Sequence, residues 1–231
     1  MHLLPSIFRE RPTPSIINNL LKNLAADNTD KDIFNIVIIG QTGTGTSSLI
    51  NLLTGTPSAP TSSSVRPCTK IFTSYALTIG RRSFRLIDAP GFGTHAASMR
   101  ALTRSLHLLD ARFGIDLIVH CLRSSAPANA HNYAALRGAV PDVPIVAAVT
   151  GLERYPGASM EEWWTHNEAA LKTRRMVFAG HACVAAGVAG DRKIRARLGE
   201  SEKAVKELIL RHCFLRRESC EVRSLKRHEH W

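Results

Sequence analysis

Residues Gly40 to Ser48 read GQTGTGTSS and stand between two apolar runs, FNIVII and LINLLTG. Gly40, Gln41, Thr42, Gly43, Thr44, Gly45, Thr46, Ser47 and Ser48 have the composition of a loop that wraps phosphate. Glycines let successive backbone N–H groups turn inward and leave room for phosphate oxygens. A helix that starts here points its positive end at the same place. Ser47 sits where a hydroxyl would reach Mg²⁺. Thr46 occupies the position where such a loop normally carries lysine. Losing a charged hydrogen bond of that kind costs about 1.5–3 kcal/mol. It also removes charge stabilisation from a transition state. The backbone cradle and the helix end remain, so binding can outlive catalysis. On its own the run is equally a Gly/Thr/Ser-rich turn without a ligand.

A second stretch, RLIDAPGFG, ends an apolar run with Asp88-Ala89-Pro90-Gly91, 41 residues beyond Ser47. A carboxylate here can hold Mg²⁺ through water, and the Gly91 N–H can meet a terminal phosphate. Alone, Asp before Pro-Gly is also what a plain turn contains. Paired with the first loop at this spacing it is much more specific.

Together these residues resemble the P-loop GTPase superfamily, in its translation-factor-like branch. DAPGFG and the helical segment after it are similar to septins and chloroplast-envelope-receptor GTPases. SSSVRPCT, VTGLE, MEEWW and GHACVAA resemble G-domain-containing proteins common in fungi. The resemblance covers residues 33–212. It implies guanine nucleotide, GTP or GDP, with Mg²⁺ held by Ser47, Thr69 and Asp88. It makes Thr69 the first-switch threonine and, with Gly91, a candidate for the catalytic centre. It places Thr150-Gly151-Leu152-Glu153 where the guanine-reading motif belongs, with Glu153 in place of aspartate and Gly151 in place of the lysine that packs over the base. A carboxylate accepts both guanine N1–H and N2–H, which adenine cannot match. A solvated loop carboxylate is the other reading of Glu153. Ala185 and Ala186 fall near the last base-contacting loop, where a backbone N–H meets guanine O6. Phe92 follows the second signature where many relatives carry a water-orienting glutamine, and His95 is nearby. Phe cannot orient a nucleophile, so hydrolysis is expected to be slow or partner-dependent. The resemblance also implies a homodimer through the nucleotide face or another protein partner. Two alternatives stand beside this reading: a GTPase-like scaffold without nucleotide, and a P-loop ATPase or kinase.

These residues need strands that end in ligand-facing loops. From Ile33 onward the sequence alternates apolar strand patterns with helical ones. FNIVII, DLIVHCL and VPIVAAVT read as strands buried on both faces. KIFTSYALTI and SFRLID read as two strands joined by GRR, and RMVFAGHACVAAG contains a sixth. Helical spacing appears in SSLINLLTG, which stops at Gly55, in MRALTRSLHLLDARF, around HNYAALRGA, and in SEKAVKELILRHC. Ser159 and Glu162 form an S-x-x-E capping box ahead of another helix. The expected fold is α/β: a three-layer P-loop NTPase fold, a mostly parallel sheet with helices on both faces. Ligands in such sheets bind at the carboxyl ends of the strands, where the signatures lie. Residues 1–32 are expected to be an extension with a short helix in SIINNLLKNLA that packs on the domain. Residues 33–212 form the G domain and 213–231 a basic tail.

The chain of 231 residues is 44% apolar, enough for a substantial core. It carries 30 Lys+Arg against 19 Asp+Glu, a formal charge of +11. That favours anionic partners without choosing among them, and much of the surplus lies in the last stretch. No aromatic-basic module reads as a nucleic-acid site. The five cysteines are scattered, without a CxxC, which fits a reducing compartment. MHLLPSIFRERP lacks a signal-peptide core, and no run reaches membrane-span length. The expectation is cytoplasmic, with peripheral membrane association left open by the basic tail. His181-x-Cys183, His120-Cys121 and the terminal HEH lack the ligand number and spacing of structural zinc. Of Trp163 and Trp164, adjacent on one helix, one is expected to face the core.

Overall fold

A computed structural model describes residues 17–26, 33–57, 59, 71–91, 96–187 and 190–228. Six strands form one sheet in the order β2-β3-β1-β4-β5-β6. They are β1 (Phe34–Gly40), β2 (Thr73–Ile79), β3 (Arg82–Asp88), β4 (Leu117–Arg123), β5 (Ile145–Thr150) and β6 (His181–Cys183). Only β2 runs antiparallel. It pairs with β3 across the tight turn at Gly80-Arg81, where Gly80 adopts φ 63°. The remaining pairs are parallel.

The helices are α1 (Asn18–Ala26), α2 (Thr46–Thr54), α3 (Ala96–Phe113), α4 (Ala130–Ala139), α5 (Glu161–Thr173) and α6 (Arg192–His228). Successive strand residues point to opposite faces, so each apolar strand feeds two cores. Ile36, Ile38, Leu86 and Val119 pack against Leu49, Ile50 and Leu53 of α2 and Val205 and Ile209 of α6. Val37, Ile39, Ile87 and Ile118 pack with α1, α3, α4 and α5. The result is the three-layer arrangement expected from the strand-helix alternation.

Local signals act where the sequence places them. Gly55 caps α2 in the left-handed conformation at φ 69°. The Ser159 N–H donates to Glu162 Oε1 at 3.1 Å, and Ser159 Oγ accepts the Glu161 N–H at 3.2 Å. That reciprocal exchange starts α5. Trp164 is buried, while half-buried Trp163 donates its indole N–H to the Ser124 carbonyl at 3.1 Å.

Two expectations change. The sixth strand is only three residues long, at the edge of the sheet. The last helix is far longer than SEKAVKELILRHC, so the boundary expected at residue 213 falls inside α6. Cys213 is buried, and Phe214 packs edge-on against Phe34, ring centroids 4.8 Å apart. The Arg82 guanidinium lies over the Phe214 ring, 4.0 Å from its centroid. At the other end, Ile17, Leu20, Leu21 and Leu24 are buried in the main core, so α1 packs on the domain as expected. No helix among the described residues is long and apolar enough to cross a membrane.

Candidate functional site

The carboxyl end of β1 turns directly into the Gly40–Ser48 loop. Gly43 and Gly45 adopt φ 86° and 84°, conformations that favour glycine. Thr44 closes the turn twice on the Gln41 carbonyl: its N–H donates at 3.0 Å and its hydroxyl at 2.8 Å. Gly40 is fixed by close approach, since a Cβ there would stand 2.2 Å from Thr44 Oγ1 and 2.8 Å from the Cys121 carbonyl oxygen. α2 begins at Thr46 with no side-chain cap. Its first N–H groups and its positive end are therefore directed to the loop. This is the geometry of an anion cradle.

β3 runs beside β1 and brings the second signature to it. Asp88 pairs in register with Ile38, and the Ala89 N–H donates to the Ile38 carbonyl at 3.1 Å. Ser47 Oγ lies 3.5 Å from Asp88 Oδ2. Gly91 lies against the cradle: a Cβ on it would meet Thr42 Oγ1 at 3.0 Å and Thr42 N at 3.2 Å. Asp88 is fully buried, and its charge reaches its neighbours. Burial first, then Asp88, pushes up the Tyr75 hydroxyl and the Cys121 thiol. A hydroxyl facing a buried carboxylate beside a phosphate cradle is a donor set that suits Mg²⁺.

The third motif behaves differently. Thr150 is buried and turned inward: its hydroxyl donates to the Thr44 carbonyl at 2.6 Å, with the Leu122 carbonyl at 3.2 Å. It ties the end of β5 to the cradle. Glu153 Oε1 accepts the Ala186 N–H at 3.0 Å. The Ala185 N–H donates to Ser201 Oγ at 2.8 Å, so the donor expected for guanine O6 is already engaged within the chain. Thr69, Phe92 and His95 lie outside the described residues.

Two arginines absent from the sequence reading stand at this end. Arg197 of α6 is buried, and its Nη1 donates to the carbonyls of Leu152, Glu153 and Tyr155 at 3.0–3.1 Å. It thereby holds the loop that carries Glu153. Its helical spacing with Ile194, Ser201, Val205 and Leu208 placed it on the apolar stripe of α6, a signal that was available. Arg123 ends β4 and lies over Gly151. A charge that closes an otherwise buried strand at the ligand edge was its signal.

The family model for 50S ribosome-binding GTPases matches residues 35–150, which contain the cradle, the Asp88 signature and the start of the third motif. The chain belongs to the P-loop GTPase superfamily. Solved G-domain structures share its fold. Toc33 from Arabidopsis thaliana, as a dimerisation-deficient mutant, is 14% identical with a TM-score of 0.59, over 87% of this chain and 90% of that one. Era from Aquifex aeolicus bound to GDP·AlF4⁻ is 15% identical with a TM-score of 0.55, over 73% of this chain and 56% of that one. A GTP-binding protein from Sulfolobus solfataricus in complex with GDP is 19% identical with a TM-score of 0.55, over 86% and 57%. The chain thus spans little more than half the length of the Era and Sulfolobus proteins. No curated protein sequence matches it.

Proposed function

We propose that this G domain binds a guanine nucleotide with Mg²⁺ and hydrolyses GTP slowly or only with a partner. The observation that carries the reading is the Ser47–Asp88 pair, 3.5 Å apart beside the Gly40–Ser48 cradle. The backbone of the cradle and the start of α2 receive the phosphates. Ser47 and Asp88 would hold Mg²⁺, which when bound offsets phosphate charge. Gly91 stands against Thr42, where its N–H can report a terminal phosphate. Glu153 supplies the carboxylate for the guanine edge once the base competes with Ala186 for it. Thr46 brings no charge to the phosphates and Phe92 no group that orients water. The GDP-bound Era and Sulfolobus structures support the ligand class, and the dimerisation-deficient Toc33 mutant makes a second copy of this chain the first partner to test.

The test is calorimetric titration with GTP, GDP and ATP, with and without Mg²⁺. Saturable guanine-nucleotide binding that strengthens with Mg²⁺ is expected. No binding at millimolar GTP would overturn the reading, and a preference for ATP would remove its guanine part. Thr46→Lys should tighten GTP binding about ten- to hundredfold, the value of a charged hydrogen bond. One observation favours a nucleotide-free scaffold as the second reading: the Ala185 and Ala186 N–H groups are both satisfied within the chain. Sedimentation with and without GTP distinguishes a nucleotide-dependent dimer from such a scaffold.

A further inference from the structure

Four stretches at the ligand edge of the sheet carry no cation of their own. Residues 40–48, 88–91, 150–153 and 184–187 contain no lysine or arginine. Arg123 is the basic residue that β4 brings to this edge. It pairs in register with Thr150 of β5. Its guanidinium lies over Gly151: a Cβ there would stand 2.8 Å from Nε, 2.9 Å from Cζ and 3.2 Å from Nη1. Gly151 leaves the space, and the arginine of the neighbouring strand fills it. The side chain is half-buried, yet it makes no hydrogen bond or ion pair with the described residues. A half-buried guanidinium whose five donors are unused within the described residues, at a ligand edge, is placed to meet a ligand.

Position decides which part of a nucleotide this is. The Ser47–Asp88 pair stands over β1 and β3. Arg123 stands on the opposite side of β1, over β4 and β5, where Glu153 follows β5. It still touches the cradle side, because it lines a small cavity with Gln41 and Thr44. On its other flank a cleft of about 320 Å³ opens towards Trp163 and Asn167. A cation here is set away from the metal and terminal phosphates and beside the carboxylate suited to a base edge.

We propose that Arg123 receives the purine ring of the nucleotide, its guanidinium plane lying against the face of the base beside Gly151. The inference rests on the nucleotide reading above. A guanidinium is planar and weakly hydrated, and it stacks on aromatic faces as a lysine ammonium does not. The contact is indifferent to the edge of the ring, so Arg123 contributes affinity for purines and Glu153 the choice among them.

The experiment is calorimetric titration of wild type and Arg123→Met with GDP and GTP, with nucleotide-free melting as the fold control. Methionine keeps the length of the stem and removes the cation. The expected result is a loss of about 5- to 30-fold, the scale of a desolvated cation–π contact, by the same factor for GDP and GTP. Arg123→Lys should lose less. Unchanged affinity overturns the proposal, and so does a loss larger for GTP than for GDP, which would put the cation on the phosphates. Absence of binding in wild type overturns the nucleotide reading itself, an outcome distinct from both. Should the methionine variant fail to fold, Arg123→Gln carries the same comparison.

Discussion

The two ends of the ligand edge are built by different means. The phosphate end, over β1 and β3, is assembled mainly from backbone: the left-handed turns at Gly43 and Gly45, the start of α2, and the approach of Gly91 to Thr42. Its one side-chain pair, Ser47 with Asp88, joins the first turn of α2 to the end of β3. The other end, the one proposed for the base, over β4, β5 and β6, is assembled from side chains. Thr150, Glu153, Arg197 and Ser201 hold its carbonyls and N–H groups in place. Backbone geometry survives replacement of a side chain such as Thr46. A side-chain network does not, and this one reaches α6, far along the chain. The phosphate end should therefore tolerate side-chain change, while the base end should lose shape when a single member is removed.

The largest test is Arg197→Met. It leaves three loop carbonyls without their donor in a buried place. Each orphaned group costs about 1–3 kcal/mol, so a loss on the order of 3 kcal/mol is expected in chemical denaturation. If the loss stays below about 0.5 kcal/mol, as for an ordinary surface residue, the network is not what holds the base end.

A loss of similar size should come with acid, and from neither end. Burial lowers the pKa of His120, on β4, from 6.5 to about 4, and burial also lowers that of His212. The unfolded chain binds these protons first. Stability is thus complete above pH 6.5 and falls as the pH drops from there towards 4. The gap for His120 corresponds to about 3 kcal/mol. His120→Phe should flatten part of that slope. Glu161 adds to the acid loss at lower pH, because the hydrogen bond from His181 holds its carboxyl below the ordinary range. An unaltered slope in His120→Phe would assign the acid transition to these other groups.

Gly40→Ala tests the backbone end directly. The new methyl has no room between Thr44 and the Cys121 carbonyl, and overpacking of this kind costs about 1–3 kcal/mol. Nucleotide affinity should fall together with the melting temperature. Retained affinity in a destabilised variant would separate the cradle from the ligand.

The smallest effect is expected from Ser201→Ala, which leaves the buried Ala185 N–H without its acceptor, at about 1 kcal/mol, since the space left by the hydroxyl admits water. The freed N–H becomes available to a guanine carbonyl, so GDP affinity relative to ATP should rise as stability falls. A parallel decline in both affinities would show that Ala185 does not face the base.

The phosphate end was legible in the sequence because its parts are contiguous or evenly spaced. Gly40–Ser48 is one run, and Asp88–Gly91 closes a recognisable strand. The same applies to the helices marked by Gly55 and by Ser159 with Glu162, whose signals act over a few residues. The length of α6 was not legible, since RHCFLRRESCEV lacks a clear apolar face. Thr150 was placed correctly on β5, but the direction of its hydroxyl depends on Thr44, 106 residues away.

The sequence by itself determined the alternation of strands and helices, the anion cradle and the absence of lysine from it. Periodicity, turn residues and short-range hydrogen bonding govern these features. Tertiary structure alone decided that Thr150 ties two loops, that Ala185 donates to Ser201, and that Arg197 reaches the carbonyls of Leu152, Glu153 and Tyr155. Each of these depends on which side chain sheet order and helix packing bring within about 3 Å, the reach of a hydrogen bond, and local spacing carries no record of that distance.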